Sequence, residues 1–470
     1  MKITFIGHAS ILIETRGLRI LSDPWWRGPC FGAQWWTYPL PHLAPLEQPV
    51  DHIYVSHGHN DHFHPGTLRT LNQDATVLVS KNIDVAAAVR ELGMKVVEIG
   101  DEESYEPSPG VRMRIVETHA SDTFFAIDDG EEVCVNLNDA LHSAPEDLQE
   151  RFIARLKDWY PKVDYLFCGY GVASHFPNCY IIPGKDREAT AAKRQAFFNR
   201  RWAKIVQGLR PRFAFPFAAD VAFLEENLIW TNEPTHNTER PTDVFRALEP
   251  GSPTTALDIA PGFEVAGGAV SRSELRRPTS AARLRAECAE GVRRANAYGT
   301  ATDDAFAEVL ELFRSNVERC TAYLREHAGN YRFLVRFRNH PFGIAISKDG
   351  AHISVTEHRT PSDEGFDIVY RTRLHYLKAS LTMPYGDEIL FVGSGGMFEY
   401  RDAASARMNL HRELMTMLLP HKSAPRSRFG DSSPAVYRLK RAVKSALGRQ
   451  PTDLYDLGAW TVWQGETTRP

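Results

Sequence analysis

Residues 57–64 hold His57, His59, Asp61, His62 and His64 directly after the apolar run Ile53-Tyr54-Val55. Imidazole and carboxylate are the ligands that zinc, iron and manganese take, and few other sites need so many at once. Side chains on an extended segment repeat every second residue, so His57 and His59 face the same way as the chain leaves Ile53-Tyr54-Val55. Asp61 and His62 follow on the loop, where a second ion can be held. Pro65 suits the first turn of a helix over 65–71. A lone histidine would read as a surface residue. A His-x-His-x-Asp-His run behind a buried strand reads as a metal site.

The elements around this run must bring further ligands to it. Residues 2–6, 11–14 and 18–22 alternate like a strand meander, with a hairpin turn at Arg16-Gly17. Gly7-His8-Ala9-Ser10 interrupts the first two strands and Asp23-Pro24-Trp25-Trp26 closes the unit. His8 reads either as a site-facing residue or as a hydrogen-bonded histidine at a strand end. An αβ alternation follows: strand 76–79, helix 82–92 and strand 95–99, which argues for α/β layering. Residues 111–118 alternate cleanly and end at His119. Strands 124–128 and 132–136 form a hairpin over Asp129-Gly130, and the second leads to Asn138-Asp139. His119 and Asp139 thus stand at strand ends, where both can reach the sheet edge that carries His57–His62. The plainer alternatives are a surface histidine for His119 and, for Asp139, the N-cap of a helix over 145–157.

Taken together these features resemble the metallo-β-lactamase superfamily. Gly7-His8-Ala9-Ser10 and Ser22-Asp23-Pro24-Trp25 look like the opening of the branch that contains L-ascorbate-6-phosphate lactonases and N-acyl phosphatidylethanolamine phospholipase D. Trp35-Trp36, Asn136-Leu137-Asn138-Asp139, Ala173-Ser174-His175-Phe176-Pro177-Asn178-Cys179-Tyr180, Leu209-Arg210-Pro211 and Pro216-Phe217-Ala218 look like catalytic-domain motifs of CMP-N-acetylneuraminate monooxygenase-like proteins. The likeness covers residues 1–240. It implies an α/β fold, the metallo-β-lactamase αββα sandwich, with a helical and α+β C-terminal region behind it. It also implies that His119 is the superfamily's third histidine, Asp139 its bridging aspartate, and His236 its last ligand, with His175 as the rival. The monooxygenase carries a Rieske iron–sulfur domain, which needs paired Cys and His motifs. This sequence has no Cys-x-His or Cys-x-x-His pair, so CMP-sialate hydroxylation is not carried over.

Composition bounds the rest. A chain of 470 residues is long for a single core. With 43% hydrophobic and 24% charged residues it reads as globular. A net charge of −4 offers no basic excess for nucleic acid. The six cysteines are widely spaced with no Cys-x-x-Cys pair, which reads as reduced thiols in a cytoplasmic setting. The first residues form too short an apolar run for a signal peptide, and no stretch reaches the ~18 apolar residues of a membrane span.

The domains expected are 1–245, a metal-binding catalytic domain; 246–279, a linker rich in Pro and Gly; and 280–470, a helical plus antiparallel-sheet domain. That last part resembles the sterol-carrier-like modules found after some metallo-β-lactamase domains, with packing or dimerisation as the plainer role. The aromatic loop at 25–45 reads equally as a cover over the core or a substrate wall. The basic face of a helix over 187–208 reads as solvated, or as a contact for an anionic substrate. A basic amphipathic helix is expected over 434–447, docked on its own domain or touching anionic partners.

The leading reading is a binuclear hydrolase whose metal-activated water attacks an ester, phosphodiester, amide or lactone of a small molecule. His57, His59 and His119 would hold one ion and Asp61 and His62 the other, with Asp139 between and His236 as a further metal ligand. Asp61 or Asp139 would accept the nucleophile's proton. Two divalent ions are required, zinc first, with iron or manganese as alternatives. The second reading is a di-iron oxygen-activating monooxygenase with electrons from a separate redox partner, and the third a non-catalytic metal-binding module. A homo-oligomer is compatible with all three.

Overall fold

The computed structural model describes residues 1–118, 122–171, 175–237, 239–325, 329–383, 386–407 and 417–418. The chain divides into two compact units: Met1–Val172 with Arg194–Gly291, and Ala173–Lys193 with Val292–Pro470.

Two large sheets form the core of the first unit. One has eight strands in the spatial order Ala269–Arg272, Glu264–Ala266, Lys2–Gly7, Ser10–Thr15, Leu18–Ser22, His52–Tyr54, Thr76–Ser80 and Lys95–Ile99. The other has seven, Thr255–Ala256, Phe213–Phe217, Tyr165–Gly169, Val133–Asn136, Thr123–Asp128, Val111–Glu117 and Ser104–Ser108. Period-2 alternation sorts their side chains into layers. Phe5, Ile13, Ile20, Tyr54 and Leu78 meet Met113, Ile115, Phe125, Ile127 and Phe167 in the core between the sheets. The intervening residues Leu12, Leu21, Ile53 and Val77 point the other way, against Leu68, Ala86 and Val89. Those three lie in the short helices Pro65–Leu68 and Ala86–Glu91. Behind the second sheet, Phe124, Ala126, Val135 and Leu166 pack on Leu156, Trp202, Val206 and Phe245. These come from the helices Glu146–Trp159, Arg187–Leu209 and Pro241–Leu248. The layering is helix, sheet, sheet, helix, and each fully buried Leu, Ile or Phe in it contributes about 1.5–3 kcal/mol.

Residues 246–279, expected as a linker, instead extend both sheets. Thr255–Ala256 pairs parallel to Phe213–Phe217, and Glu264–Ala266 pairs antiparallel to Lys2–Gly7. The Pro and Gly residues there are the turns between short edge strands, which a linker reading cannot separate from a true spacer.

In the second unit a six-stranded sheet runs Tyr180–Ile181, Met397–Tyr400, Ile368–Thr372, Tyr331–Phe337, Gly343–Asp349 and His352–His358. The expectation of antiparallel strands holds for Tyr331–Phe337 through His352–His358, whereas Tyr331–Phe337 and Ile368–Thr372 are parallel. The helix Leu374–Thr382 also lies in that stretch; its Leu374, Leu377 and Leu381 are buried at helical spacing. Asp303–Leu324 buries Phe306, Val309, Phe313, Val317, Cys320 and Leu324, one continuous apolar stripe. The helix expected over 434–447 lies outside the described residues. Among the described residues no helix is long and apolar enough to cross a membrane.

Candidate metal centre

The His57 run leaves the sheet at the end of the His52–Tyr54 strand, which lies between Leu18–Ser22 and Thr76–Ser80 and parallel to both. Two threads tie this exit down. Asp23, just past its own strand, accepts from the Ser56 amide at 2.8 Å and the Ser56 hydroxyl at 2.7 Å. Thr123, opening the next sheet's hairpin strand, donates its hydroxyl to the Ser56 carbonyl at 2.6 Å. The imidazoles emerge from a fixed backbone.

Five of the expected ligands converge. His57 Nε2 lies 2.7 Å from His59 Nδ1, and the His57 and His62 rings are 4.2 Å apart. His62 Nε2 sits 3.2 Å from an Asp61 oxygen and 3.6 Å from an Asp139 oxygen. Three groups of potential ligands, each with its donor atoms within 4.8 Å of one another, overlap here: His57, His62 and Asp139; His8, Asp61 and His62; and His57, His59 and Asp122. Asp139 is not a helix cap, since the next helix starts at Glu146 with Pro145 as its N-cap residue. His64, the last histidine of the run, caps the Pro65–Leu68 helix by accepting from the Thr67 amide at 3.1 Å.

Three sequence expectations fall elsewhere. His119 lies outside the described residues. His236 belongs to the short helix Asn232–Asn237, and its side chain is not among those described. His175, its rival, is a buried residue of the second unit whose Nε2 lies 3.0 Å from the Tyr180 hydroxyl.

Residues that the sequence reading left out or undecided complete the surroundings. His8 is buried and places Nε2 3.0 Å from an Asp61 oxygen. Asp23 also accepts from Asn138 Nδ2 at 2.9 Å and contacts His62 Nδ1 at 3.1 Å. A carboxylate on one ring nitrogen fixes the tautomer and turns the other nitrogen inward, which is how metal-binding histidines are oriented. His8, Asp23 and Asn138 all have positive φ, at 49°, 35° and 50°. Left-handed backbone at non-glycine residues costs of order 1 kcal/mol each and gathers at functional sites. Trp25, buried at the start of the aromatic loop, meets His8 edge-on with centroids 5.2 Å apart. Trp35 and Phe31 pack on each other, so this part of the loop serves as cover. The basic helix is partly consumed as well: Arg201 donates to the carbonyls of His142 and Ala144, and Lys204 pairs with Glu146.

The charges are strongly perturbed. Burial pushes His57 down, and burial with neighbouring His57 takes His59 to about 4. Burial would lower His62 too, yet the Asp61 and Asp139 carboxylates hold it well above the ordinary imidazole value. Burial opposes the charge on Asp61 and Asp139, but His62 keeps Asp61 well below its usual value, and His62 with His57 brings Asp139 to about 2. Burial and then Asp139 lift Asp122 to about 7.

This donor set suits divalent ions. Neutral imidazoles with facing nitrogens are ligands in waiting. Asp139 Oδ1 is buried with no hydrogen-bond partner among the described residues, although such acceptors are normally satisfied. A cation answers both.

Residues 2–147 match the family described as "Beta-lactamase superfamily domain". This N-terminal stretch is similar to β-lactamase superfamily domains. The matched stretch contains the whole His57–His62 run and Asp139. Beyond it, the chain is similar to a putative Rieske 2Fe-2S iron-sulfur protein of Mycobacterium tuberculosis, 28% identical over 256 residues, 50% of this chain and 46% of that protein. It is 27% identical over 235 residues to the cytidine monophosphate-N-acetylneuraminic acid hydroxylase of Mus musculus, 46% of this chain and 39% of that enzyme. A metal-dependent hydrolase of Carboxydothermus hydrogenoformans is 40% identical over 78 residues, 17% of this chain and 30% of the relative. The chain thus spans less than half the length of each of these relatives.

Proposed function

We propose that the N-terminal part of this chain is a two-metal hydrolase acting on a small molecule with an ester, phosphodiester, amide or lactone bond. The observation that carries the reading is the overlap of three groups of potential ligands, joined through His57 and His62. The overlap gathers enough donor atoms in one place for two neighbouring ions, with Asp139 between them. Such a pair polarises the bond attacked and lowers the pKa of bound water towards neutrality.

The residues have separate tasks. His57 and His59, with His119, hold the first ion; Asp61 and His62, with His236, hold the second; Asp139 lies between. Asp61 or Asp139 accepts the nucleophile's proton. Asp23, through His62 Nδ1, keeps that ring aimed. The local similarity to a metal-dependent hydrolase supports the assignment.

One observation favours a second reading. The longer alignments are to a hydroxylase and to a Rieske-named protein, and the same ligands can hold two irons. A di-iron oxygenase would also need a source of electrons, for which a separate redox protein is the proposal. The two readings part on one experiment. Metal-loaded protein is assayed on a panel of esters, phosphodiesters, amides and lactones with and without oxygen. Turnover that needs metal and ignores oxygen supports the hydrolase; an oxygen-dependent product with stoichiometric iron overturns it.

A further inference from the structure

Asp122 sits in a place that local structure fixes twice. The strands Val111–Glu117 and Thr123–Asp128 pair with Glu117 opposite Thr123, so Thr118 and Asp122 flank the ends of the pairing. The Thr118 amide and the Thr118 hydroxyl both donate to the Asp122 carbonyl, each at 2.9 Å, and so tie the two residues together. The next residue, Thr123, is bonded to the Ser56 carbonyl at 2.6 Å and to the Tyr54 hydroxyl at 2.7 Å. Asp122 is therefore anchored beside the backbone that launches His57. One of its oxygens lies 3.7 Å from His57 Nδ1, and the side chain is 16% exposed. Its carboxylate falls within the same 4.8 Å group as a nitrogen from each of His57 and His59.

We propose that Asp122 is a further ligand of the first ion, adding a carboxylate to its histidines and moving its preference from zinc towards manganese(II) or iron(II). This rests on the two-metal reading and sharpens it. A surface aspartate would turn to water, whereas this one is held against two buried or half-buried imidazoles. Imidazoles alone would leave a nitrogen-rich site suited to zinc. An added carboxylate makes the site harder and anionic, the donor character that suits manganese and iron.

The test measures metal binding directly. Metal-free protein is titrated with manganese(II), zinc(II) and, without oxygen, iron(II) against a chromophoric chelator, and circular dichroism checks each variant's fold. The variants are Asp122→Ala, Asp122→His, His119→Ala and His57→Ala. Partners one layer out from a metal already change affinity about 10–100-fold. Asp122→Ala is accordingly expected to weaken one of the two ions by about a hundredfold or more. Asp122→His is expected to regain that ion with its preference moved at least tenfold towards zinc. A folded Asp122→Ala protein that binds two ions as the parent does overturns the proposal, as does an Asp122→His protein with the parent's metal preference. Loss in both Asp122→Ala and His119→Ala supports it; loss in His119→Ala alone assigns the position to His119 and overturns it. His57→Ala separates the two levels: if it loses metal while Asp122→Ala does not, the two-metal reading stands without Asp122. If neither loses metal, that reading falls.

Discussion

Asp23 concentrates four hydrogen bonds on one buried carboxylate: the Ser56 amide and hydroxyl, Asn138 Nδ2 and His62 Nδ1. Replacing it with alanine leaves these groups without their acceptor, frees the His62 ring and removes the charge opposite it. Metal affinity of Asp23→Ala should fall about 10–100-fold, the range for such supporting partners, read by chelator competition; an unchanged affinity would contradict the role given to Asp23. At this scale the sequence was partly legible. His57, His59, Asp61 and His62 declare themselves because they lie within six positions, so short-range order alone brings them together. Asp23, Ser22 and Asn138 stood in motifs that could be quoted, but nothing local tells that Asp23 reaches His62 across 39 residues. Asp122 carried no signal beyond standing three residues after His119 and one before a strand.

Between residue and fold stands the hairpin Val111–Glu117 with Thr123–Asp128. Its alternation was readable, since Phe124 and Ala126 face the helices while Phe125 and Ile127 face the other sheet. What it does for the site was not readable, because Thr123 reaches Ser56 and Tyr54 only once the two sheets are stacked. Thr123→Val keeps the shape and removes the hydroxyl, stranding the buried Ser56 carbonyl and Tyr54 hydroxyl. The variant should lose about 1–3 kcal/mol, seen as a lower urea midpoint with an unchanged slope; an unaltered midpoint would show that the stitch carries no load. The linker expectation failed for a related reason. Glu264–Ala266 is too short to signal a strand, and its partner Lys2–Gly7 lies at the far end of the sequence.

Across the whole molecule, stability against acid is a sum over carboxylates whose folded and unfolded pKa values differ. In the second unit burial opposes the charge on Asp363, but Arg336 and Arg371 clamp it and hold its pKa below the usual value. A lowered folded pKa means that the stabilisation is present above the unfolded value of about 3.9 and is lost as pH falls through the folded value. Asp363→Asn should therefore be less stable than the parent by about 1 kcal/mol at neutral pH, and the gap should close as the pH is taken below 4. A gap that persists undiminished at low pH would contradict the clamp. The layered first unit was legible from alternation and strand ends; the parallel pairing of Tyr331–Phe337 with Ile368–Thr372 was not, because pairing direction leaves no mark on period-2 alternation.

The central claim is that one sheet edge holds two metal ions. Metal content per folded chain, measured by elemental analysis after stripping and reloading with a single divalent metal, tests it most directly. Two equivalents bound by the parent, with at least the second ion lost in His62→Ala, are predicted from the place of His62 beside Asp61 and Asp139. One equivalent or none in the parent, or two retained by His62→Ala, would contradict it.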